Sequence, residues 1–440
     1  RPCVGWWRDM WLADVIIKDA SFLMFDNSGM GSHRLEQVSI QSVPPAASEP
    51  KDGITLDGKG VLNSQPVDIH IITSNLQLLV TGNRWPVSVS LRSQYLNGLF
   101  KGSLALRERM VGDGKLELNS DDALALNTWI GPFLPARSRT PVALSASVLM
   151  AGDVFDVSQL TLRFAEISMS GNFQVTAESS SGRQINGKLE ASVLDFGDAY
   201  ADISDTIYDA PLSVQRIPVG NIALSWRRTI WHDIEIGVGR ATIERPPQTN
   251  RISLKIEEAA LYGGTLRGNV TLDNLEGMHA LNIEAKAVGV SAGPLLSSEQ
   301  NAQSPVFGGN TTLDVNLFSV GGTLRQLIEA LTGKAQMVAT NGVVVVPELT
   351  TQVAEADGDE LRFRSFNGGF EITQGIATSE DLLLKTDEIS LVGKGRLDLA
   401  NGTIDLNVGR LNSDGGSRTL KRYRVSVPIK NIRVERINGS

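Results

Sequence analysis

Cysteine, aromatic residues and long apolar runs are scarce in this sequence, and each scarcity excludes a class of protein. Cys3 is the only cysteine, so neither a disulfide framework nor a thiolate metal site is expected. The net charge of −8 argues against a nucleic-acid-binding protein, which would carry a basic stripe with aromatic side chains. No run of about 18 apolar residues occurs, so no membrane-spanning helix is predicted.

Catalytic signatures are also missing. The four histidines lie in separate segments, without the paired spacing of a metal site. No P-loop, no GxSxG elbow and no GxGxxG between a strand and a helix is present. A glycan hydrolase on an all-β scaffold would need two carboxylates facing one cleft, and no such pair stands out. The sequence therefore predicts a protein that is not an enzyme, with no catalytic residue, no cofactor and no metal site.

What the sequence has is glycine and short aliphatic alternation. Among its 440 residues are 43 glycines, while aromatic residues make up 6% and hydrophobic residues 41%. Apolar content carried by Leu, Ile, Val and Ala between many turns is typical of an all-β chain.

The stretch from Ile389 to Gly409 shows this alternation best. Ile389, Leu391, Gly393, Gly395, Leu397 and Leu399 share one parity, and polar residues take most of the other. Asn401-Gly402 follows, and Ile404, Leu406 and Val408 then resume the alternation. Asn-Gly between two alternating runs predicts a β-hairpin with one apolar face.

The same spacing recurs in ITLDGKGVL, residues 54–62, which repeats the central GKG. Looser copies begin at Ile167 and at Leu266. Recurring hairpins of this kind predict one long, meandering antiparallel sheet.

The apolar face of these hairpins has two interpretations. Its glycines either allow close packing of a neighbour or a strand bend, or they keep the floor of a groove clear for an acyl chain. The candidate lipid-facing groove residues are Ile54, Leu56, Gly58, Gly60, Leu62, Ile389, Leu391, Gly393, Gly395, Leu397, Leu399, Ile404, Leu406 and Val408.

Two short helices and two linkers interrupt the strands. DDALALNTWIG, residues 121–131, predicts a helical turn capped by Asp121, with Leu124 and Trp129 on its apolar side. Residues 323–332 predict a helix that starts with a capping box at Thr323 and Gln326 and stops at Gly333. Linkers are predicted near residues 42–53 and at residues 291–305.

The C-terminal end carries a local excess of Lys and Arg. Solvated strand faces explain this excess, and contact with anionic lipid head groups is the alternative. The residues are Arg418, Lys421, Arg422, Arg424, Lys430, Arg433 and Arg436.

Three blocks near the C-terminal end follow one another as strands around a single helix: TTLDVNLFSVGGTLRQLIEALTGKAQMVATNGVVV, FNGGFEITQGIATSEDLLLKTDEISLVGKGRLDLANGTIDLNV and VSVPIKNIRV. In these blocks most strongly, the chain resembles the AsmA family of Gram-negative envelope proteins. ALYGGTLRGNVTLDN and VGVSAGPLL resemble the block that precedes them in the family, and the segment ending in LNTWIG resembles the middle of longer members. On this basis residues 1–290 are assigned to an AsmA-like β-repeat region and residues 306–440 to the AsmA-like C-terminal region.

The resemblance implies a mainly β fold, with a long, twisted antiparallel sheet curled into a taco-like groove. It implies a periplasmic location, with an inner-membrane anchor formed by an N-terminal helix that this chain lacks. The expected function is to bind or conduct phospholipid acyl chains between the inner and outer membranes, in support of outer-membrane integrity. The expected partners are phospholipid and the cell-envelope membranes. The alternative function is a scaffold that influences insertion of outer-membrane proteins and contacts their assembly proteins, through strand addition at exposed sheet edges.

Overall fold

The computed structural model describes residues 16–25, 32–43, 54–74, 78, 81–106, 109–130, 139–164, 167–176, 184–195, 219–231, 234–247, 249–275, 277–293, 307–345, 360–400, 403–411, 422–428 and 433–437. The chain forms two compact units. Unit 1 comprises residues 1–193 and 216–222, and unit 2 comprises residues 194–215 and 223–440.

Unit 1 is an antiparallel meander in which each strand pairs with the next along the chain, from β1 to β11. Its strands are β1 (Ile16–Phe25), β2 (Ser32–Val43), β3 (Ile54–Leu62), β4 (Gln65–Thr73), β5 (Trp85–Ser93), β6 (Asn97–Leu106), β7 (Met110–Ser120), β8 (Val142–Ala151), β9 (Val154–Phe164), β10 (Ile167–Thr176) and β11 (Gln184–Asp195). Helix α1 (Ala123–Ile130) follows β7, and strand β12 (Val219–Trp231) contributes residues to both units.

The hairpin predicted at residues 54–62 is present as β3 and β4. Leu62 pairs with Gln65, so the turn consists of Asn63 and Ser64, whose φ angles of 45° and 67° suit a two-residue hairpin loop. The looser copy that begins at Ile167 is also a hairpin, formed by β10 and β11.

Helix α1 shows that the sheet of unit 1 is curled. Ala123, near the start of the helix, packs with Val142 of β8 and Phe164 of β9. Near its end, Trp129 packs with Val67 of β4 and donates a 2.7 Å hydrogen bond from Nε1 to the carbonyl oxygen of Leu62 in β3. In a flat sheet, β3 and β9 are six interstrand spacings apart, about 29 Å. An eight-residue helix is only about 12 Å long, so the sheet has to bend beneath it.

The details predicted for α1 need two corrections. The cap is Asp122 rather than Asp121, since Asp122 Oδ1 accepts a 2.9 Å hydrogen bond from the backbone N–H of Ala125. The buried side of the helix holds Leu126, which is 3% exposed, whereas Leu124 is 41% exposed. Trp129 lies on the buried side, as predicted.

Unit 2 is also an antiparallel meander, in which every consecutive pair from β13 to β24 is hydrogen-bonded. Its strands are β13 (Ile234–Arg245), β14 (Arg251–Leu261), β15 (Gly264–Leu275), β16 (Met278–Ser291), β17 (Phe307–Gly321), β18 (Thr332–Val344), β19 (Leu361–Thr373), β20 (Ile376–Lys385), β21 (Ser390–Asp398), β22 (Thr403–Leu411), β23 (Arg422–Pro428) and β24 (Arg433–Ile437). Helix α2 (Leu324–Glu329) lies between β17 and β18.

The hairpins predicted in unit 2 are confirmed. Strands β21 and β22 pair in register from Asp398 opposite Thr403 to Ser390 opposite Leu411. Strands β15 and β16 form the copy that begins at Leu266, which pairs with Ala287. The predicted fold class, a mainly β chain built as a meandering antiparallel sheet with a few short helices, is therefore confirmed.

Helix α2 begins as predicted and ends earlier. Thr323 is the N-cap, and its Oγ1 accepts a 3.2 Å hydrogen bond from the backbone N–H of Gln326. The helix ends at Glu329 rather than near residue 332, and Gly333 lies inside strand β18. A Cβ added to Gly333 would lie 2.1 Å from the carbonyl oxygen of Asn316, so this glycine serves close strand packing instead of helix termination.

Bulges bend several strands of unit 2. Strand β14 has an extra residue between Ile256 and Ala259, relative to β15. Strand β16 has one between Ala287 and Val290, relative to β17. A bulge bends its strand and increases the local twist. Beyond these bends the side chains are well buried: Ala259 is 0% and Val290 is 1% exposed.

Several predicted features fall outside the described residues. Most of the linker near residues 42–53 and most of residues 291–305 belong here, as do the Asn401-Gly402 turn and the side chains of the C-terminal basic cluster. Strands β16 and β17 lie on either side of residues 291–305 and are paired directly from His279 opposite Gly321 to Ser291 opposite Asn310.

Candidate functional site

One face of the unit 1 sheet is apolar across nine strands, β3 to β11. Paired residues in an antiparallel sheet share a face, so the register shows which side chains lie together. Ile69 pairs with Leu91, and Val89 pairs with Phe100, which in turn pairs with Leu116. We call these half-buried positions the first apolar face: Leu56, Ile69, Ile71, Val89, Leu91, Phe100, Leu104, Leu116, Leu118, Leu144, Val148, Met150, Phe155, Val157, Leu162, Met169, Phe173, Val175, Ile185 and Leu189.

The opposite face of unit 1 is polar and carries ionic contacts. Asp57 lies 2.5 Å from Nδ1 of His70, its register partner. Asp113 accepts a 2.9 Å hydrogen bond from Ser103 Oγ and lies 3.0 Å from Arg84. Contact with water therefore explains the polar side chains of this face. The half-exposed aliphatic side chains of the apolar face need another explanation.

Unit 2 has a corresponding face. Ile283 pairs with Val270 on one side and with Leu317 on the other, while the alternate positions Asn282 and Glu284 are exposed. We call these half-buried positions the second apolar face: Ile252, Leu254, Ile256, Leu266, Val270, Leu272, Leu281, Ile283, Leu313, Val315, Leu317, Ala335, Met337, Phe370, Leu397, Leu406 and Val408.

Better-buried clusters border the second apolar face at both ends of the strands. At one end Phe363, 4% exposed, packs with Leu391, and Phe307 stacks on Phe363 with ring centroids 5.3 Å apart. At the other end Leu327 of helix α2 is 2% exposed, and its carbonyl oxygen accepts a 2.5 Å hydrogen bond from Ser319 Oγ. The half-buried residues between these ends form a band that crosses the strands.

The chemistry of both faces is uniform. Neither set contains a charged side chain, and the backbone N–H and C=O groups of these strands are used in pairing with adjacent strands. Such a surface offers dispersion contacts and the hydrophobic effect but almost no hydrogen bonds. It suits a ligand that has no donors or acceptors of its own.

The groove residues predicted from the sequence fall into two groups. Leu56 lies on the first apolar face, and Leu397, Leu406 and Val408 lie on the second. Leu391, in contrast, is 3% exposed inside the Phe363 cluster, with Ile389 and also Val408 packed against it. Leu399 follows the end of β21, and Leu62 packs beneath helix α1. The side chain of Ile404 lies outside the described part of the chain.

The glycines on these faces receive the side chains of neighbouring strands. A Cβ on Gly395 would lie 2.6 Å from Leu406 Cδ2 and 2.2 Å from the carbonyl oxygen of Asp405. A Cβ on Gly393 would make ordinary contacts of 3.4 and 3.5 Å with Leu382. Gly58 and Gly60 are buried between β2 and β4.

Sequence reasoning missed most of both faces, because it rested on the two GKG hairpins. Strands β5 to β11 and β14 to β19 supply the larger share, including Phe100, Phe173 and Phe370. The signal was present in each strand as the alternation itself, as in VSVSL of β5.

Among the residues that the structure describes, no group of three or more His, Cys, Asp or Glu side chains is arranged to hold a metal ion. Within the same residues, no helix is both long enough and apolar enough to cross a membrane.

Comparison with known families bears on this geometry directly. Residues 248–382 match the model of the AsmA family. This region of the chain is AsmA-like. The matched AsmA-like region runs from the start of β14 into β20 and so carries most of the second apolar face. No curated protein matches the chain.

Proposed function

We propose that the protein is a non-enzymatic component of the cell envelope that binds phospholipid acyl chains on its two apolar faces and conducts them between the inner and outer membranes. The observation that carries the proposal is a surface of half-exposed aliphatic and aromatic side chains, free of charge, on strands whose backbone groups are paired. The AsmA-family match of residues 248–382 supports an envelope role.

The chemistry of the faces favours an acyl chain over a peptide. A peptide bound there would lose the hydration of its amide groups without gaining partners, at a cost of about 1–3 kcal/mol for each unsatisfied group. An acyl chain has no such groups, and its burial contributes about 0.8 kcal/mol per CH₂.

The dimensions of the first apolar face also suit this ligand. Nine strands give eight interstrand spacings, about 38 Å measured along the sheet. One leaflet of a bilayer has a hydrocarbon thickness of about 15 Å, which is the reach of one lipid tail. The face is therefore long enough for two tails end to end, and a tail can move along it without crossing a polar barrier.

Native mass spectrometry of the purified protein tests the proposal, with Ile283→Glu and Asn282→Glu as matched variants on one strand. Ile283 lies on the second apolar face and Asn282 on the polar face. The proposal predicts bound phospholipid in the parent protein and in Asn282→Glu, and reduced occupancy in Ile283→Glu. Parent protein that is free of lipid and fails to accept labelled phospholipid from vesicles would refute it. In that case, crosslinks to outer-membrane assembly proteins would favour the scaffold alternative.

A further inference from the structure

The glycines of strands β6 and β7 all fall on the apolar side of the sheet. Gly98 pairs with Leu118, Gly102 pairs with Gly114, and Gly112 pairs with Leu104. Glycine inside a strand weakens it, because it loses more conformational freedom on folding and has no side chain to pack. Their restriction to one face therefore requires a reason that lies on that face.

Two leucines supply the reason, because their side chains occupy the space above two of these glycines. A Cβ on Gly112 would lie 2.6 Å from Leu104 Cδ2. A Cβ on Gly98 would lie 3.2 Å from Leu118 Cδ2, with the nearest backbone atom 4.0 Å away. Leu104 and Leu118 thus lie across the neighbouring strand instead of standing upright from the sheet.

The arrangement recurs in unit 2, at unrelated positions in the sequence. A Cβ on Gly368 would lie 2.6 Å from Leu382 Cδ2, and a Cβ on Gly395 would lie 2.6 Å from Leu406 Cδ2 as well as 2.2 Å from the Asp405 carbonyl oxygen. A side chain that lies flat presents its broad side and makes a shallow lining.

We infer that Leu104 and Leu118, lying over Gly112 and Gly98, set the depth of the first apolar face and hence how closely an acyl chain approaches the sheet. The inference rests on the proposed function and assigns these leucines as its specificity-determining residues. A Cβ on either glycine would take the space that the leucine side chain now fills. The leucine side chain would then stand up into the path of the acyl chain. Each CH₂ displaced from contact then lowers affinity about fourfold, because its burial is worth about 0.8 kcal/mol and a factor of ten is about 1.4 kcal/mol.

The experiment uses the full chain, freed of bound lipid, and a dansyl-labelled fatty acid whose fluorescence reports binding. Gly112→Ala is expected to weaken binding about four- to fifteenfold, for one or two displaced CH₂ groups. Adding Leu104→Ala to this variant removes the raised side chain and is expected to restore most of the affinity. Gly369→Ala is the control, since its Cβ would lie 3.3 Å from the Asp381 carboxylate on the polar face, and it should leave the dissociation constant unchanged.

Circular dichroism distinguishes a local effect from misfolding. If Gly112→Ala fails to fold, because its Cβ also approaches the Ser103 carbonyl oxygen at 3.0 Å, Gly98→Ala takes its place, since its closest contact is Leu118 Cδ2 at 3.2 Å and its other neighbours are at 3.9 Å or more. A parent protein that binds no probe contradicts the proposed function itself. A parent protein that binds, together with folded glycine variants of unchanged affinity, overturns only the assignment of the leucines. Failure of Leu104→Ala to restore binding overturns that assignment as well.

Discussion

Helix α1 offers a controlled test of how the sheet of unit 1 is held in its curled form. Leu124 and Leu126 belong to the same eight-residue helix, but Leu124 is 41% exposed whereas Leu126 is 3% exposed. Leu126 packs with Val67 and Trp129, which joins the helix to strands β3 and β4. Replacing each leucine by alanine makes the same chemical change in the same element, so helix propensity largely cancels in the comparison.

The expected magnitudes differ clearly. Truncating a buried leucine costs about 2–5 kcal/mol, through lost burial and the cavity left behind. An exposed substitution usually changes stability by about 0.5 kcal/mol or less. Leu126→Ala should therefore lower the free energy of unfolding by at least about 2 kcal/mol, and Leu124→Ala should have little effect. The hydrogen bond from Trp129 to Leu62 adds a second contact, and Trp129→Phe should lose about 1 kcal/mol by removing the donor.

Urea unfolding monitored by circular dichroism gives the free energies of unfolding. Hydrogen exchange shows which strands each substitution destabilises. Because a long meander can open in parts, exchange should accelerate in Leu126→Ala at the ends of β3, β4, β8 and β9 beneath the helix. Equal losses of stability in Leu124→Ala and Leu126→Ala would refute the role assigned to α1. So would exchange that accelerates elsewhere in unit 1 but not beneath the helix.

Three further outcomes are expected. Phe363→Ala should lower the free energy of unfolding in urea by about 3–5 kcal/mol, because Phe363 is 4% exposed, whereas Phe318→Ala should lower it far less, because Phe318 is 47% exposed; similar losses would contradict the burial of Phe363 between Leu391 and Phe307. Arg251 donates a hydrogen bond to the Asp273 carboxylate, and this contact raises the pKa of Arg251. Because the pair lies on the surface, Arg251→Ala should leave both the urea midpoint of unfolding and lipid binding nearly unchanged. Titrations of the fatty-acid probe at about 0.05 and about 0.5 M salt should agree within about twofold, because screening acts on charges and not on apolar contacts; a steep salt dependence would move the site to the polar face.

Local alternation carried most of the fold prediction. The period of two in ITLDGKGVL and ISLVGKGRLD places one face of each hairpin correctly, because burial of that face determines strand register. Leu124 was predicted on the buried side in place of Leu126 because ALALN alternates Ala and Leu, which leaves no clear stripe at the helical period. Packing against Val67 and Trp129 is what buries Leu126, and that contact is not visible in the local sequence.

Contacts between distant residues could not be predicted in this way. Trp129 bonds to Leu62, which lies 67 residues earlier, and nothing local to either residue specifies the other. The bulges were equally impossible to predict from the sequence. Three of them lie at Gln37, Gln159 and Asn341, which adopt positive φ although they are not glycines. Gly333 was wrongly predicted to stop a helix. Its actual role could not be predicted, because the close approach of Asn316 from the paired strand is visible only in the folded sheet.

Photocrosslinking along strand β10 tests the central claim most directly. Met169, Phe173 and Val175 lie on the first apolar face, and Ser170, Asn172 and Gln174 alternate with them on the polar face. A photoreactive residue is placed at each position in turn, and crosslinks to phospholipid are measured after irradiation in vesicles or in cells. High yields are expected at 169, 173 and 175, and background yields at 170, 172 and 174. Equal yields on the two faces, or higher yields on the polar face, would contradict binding of lipid on the apolar side of the sheet.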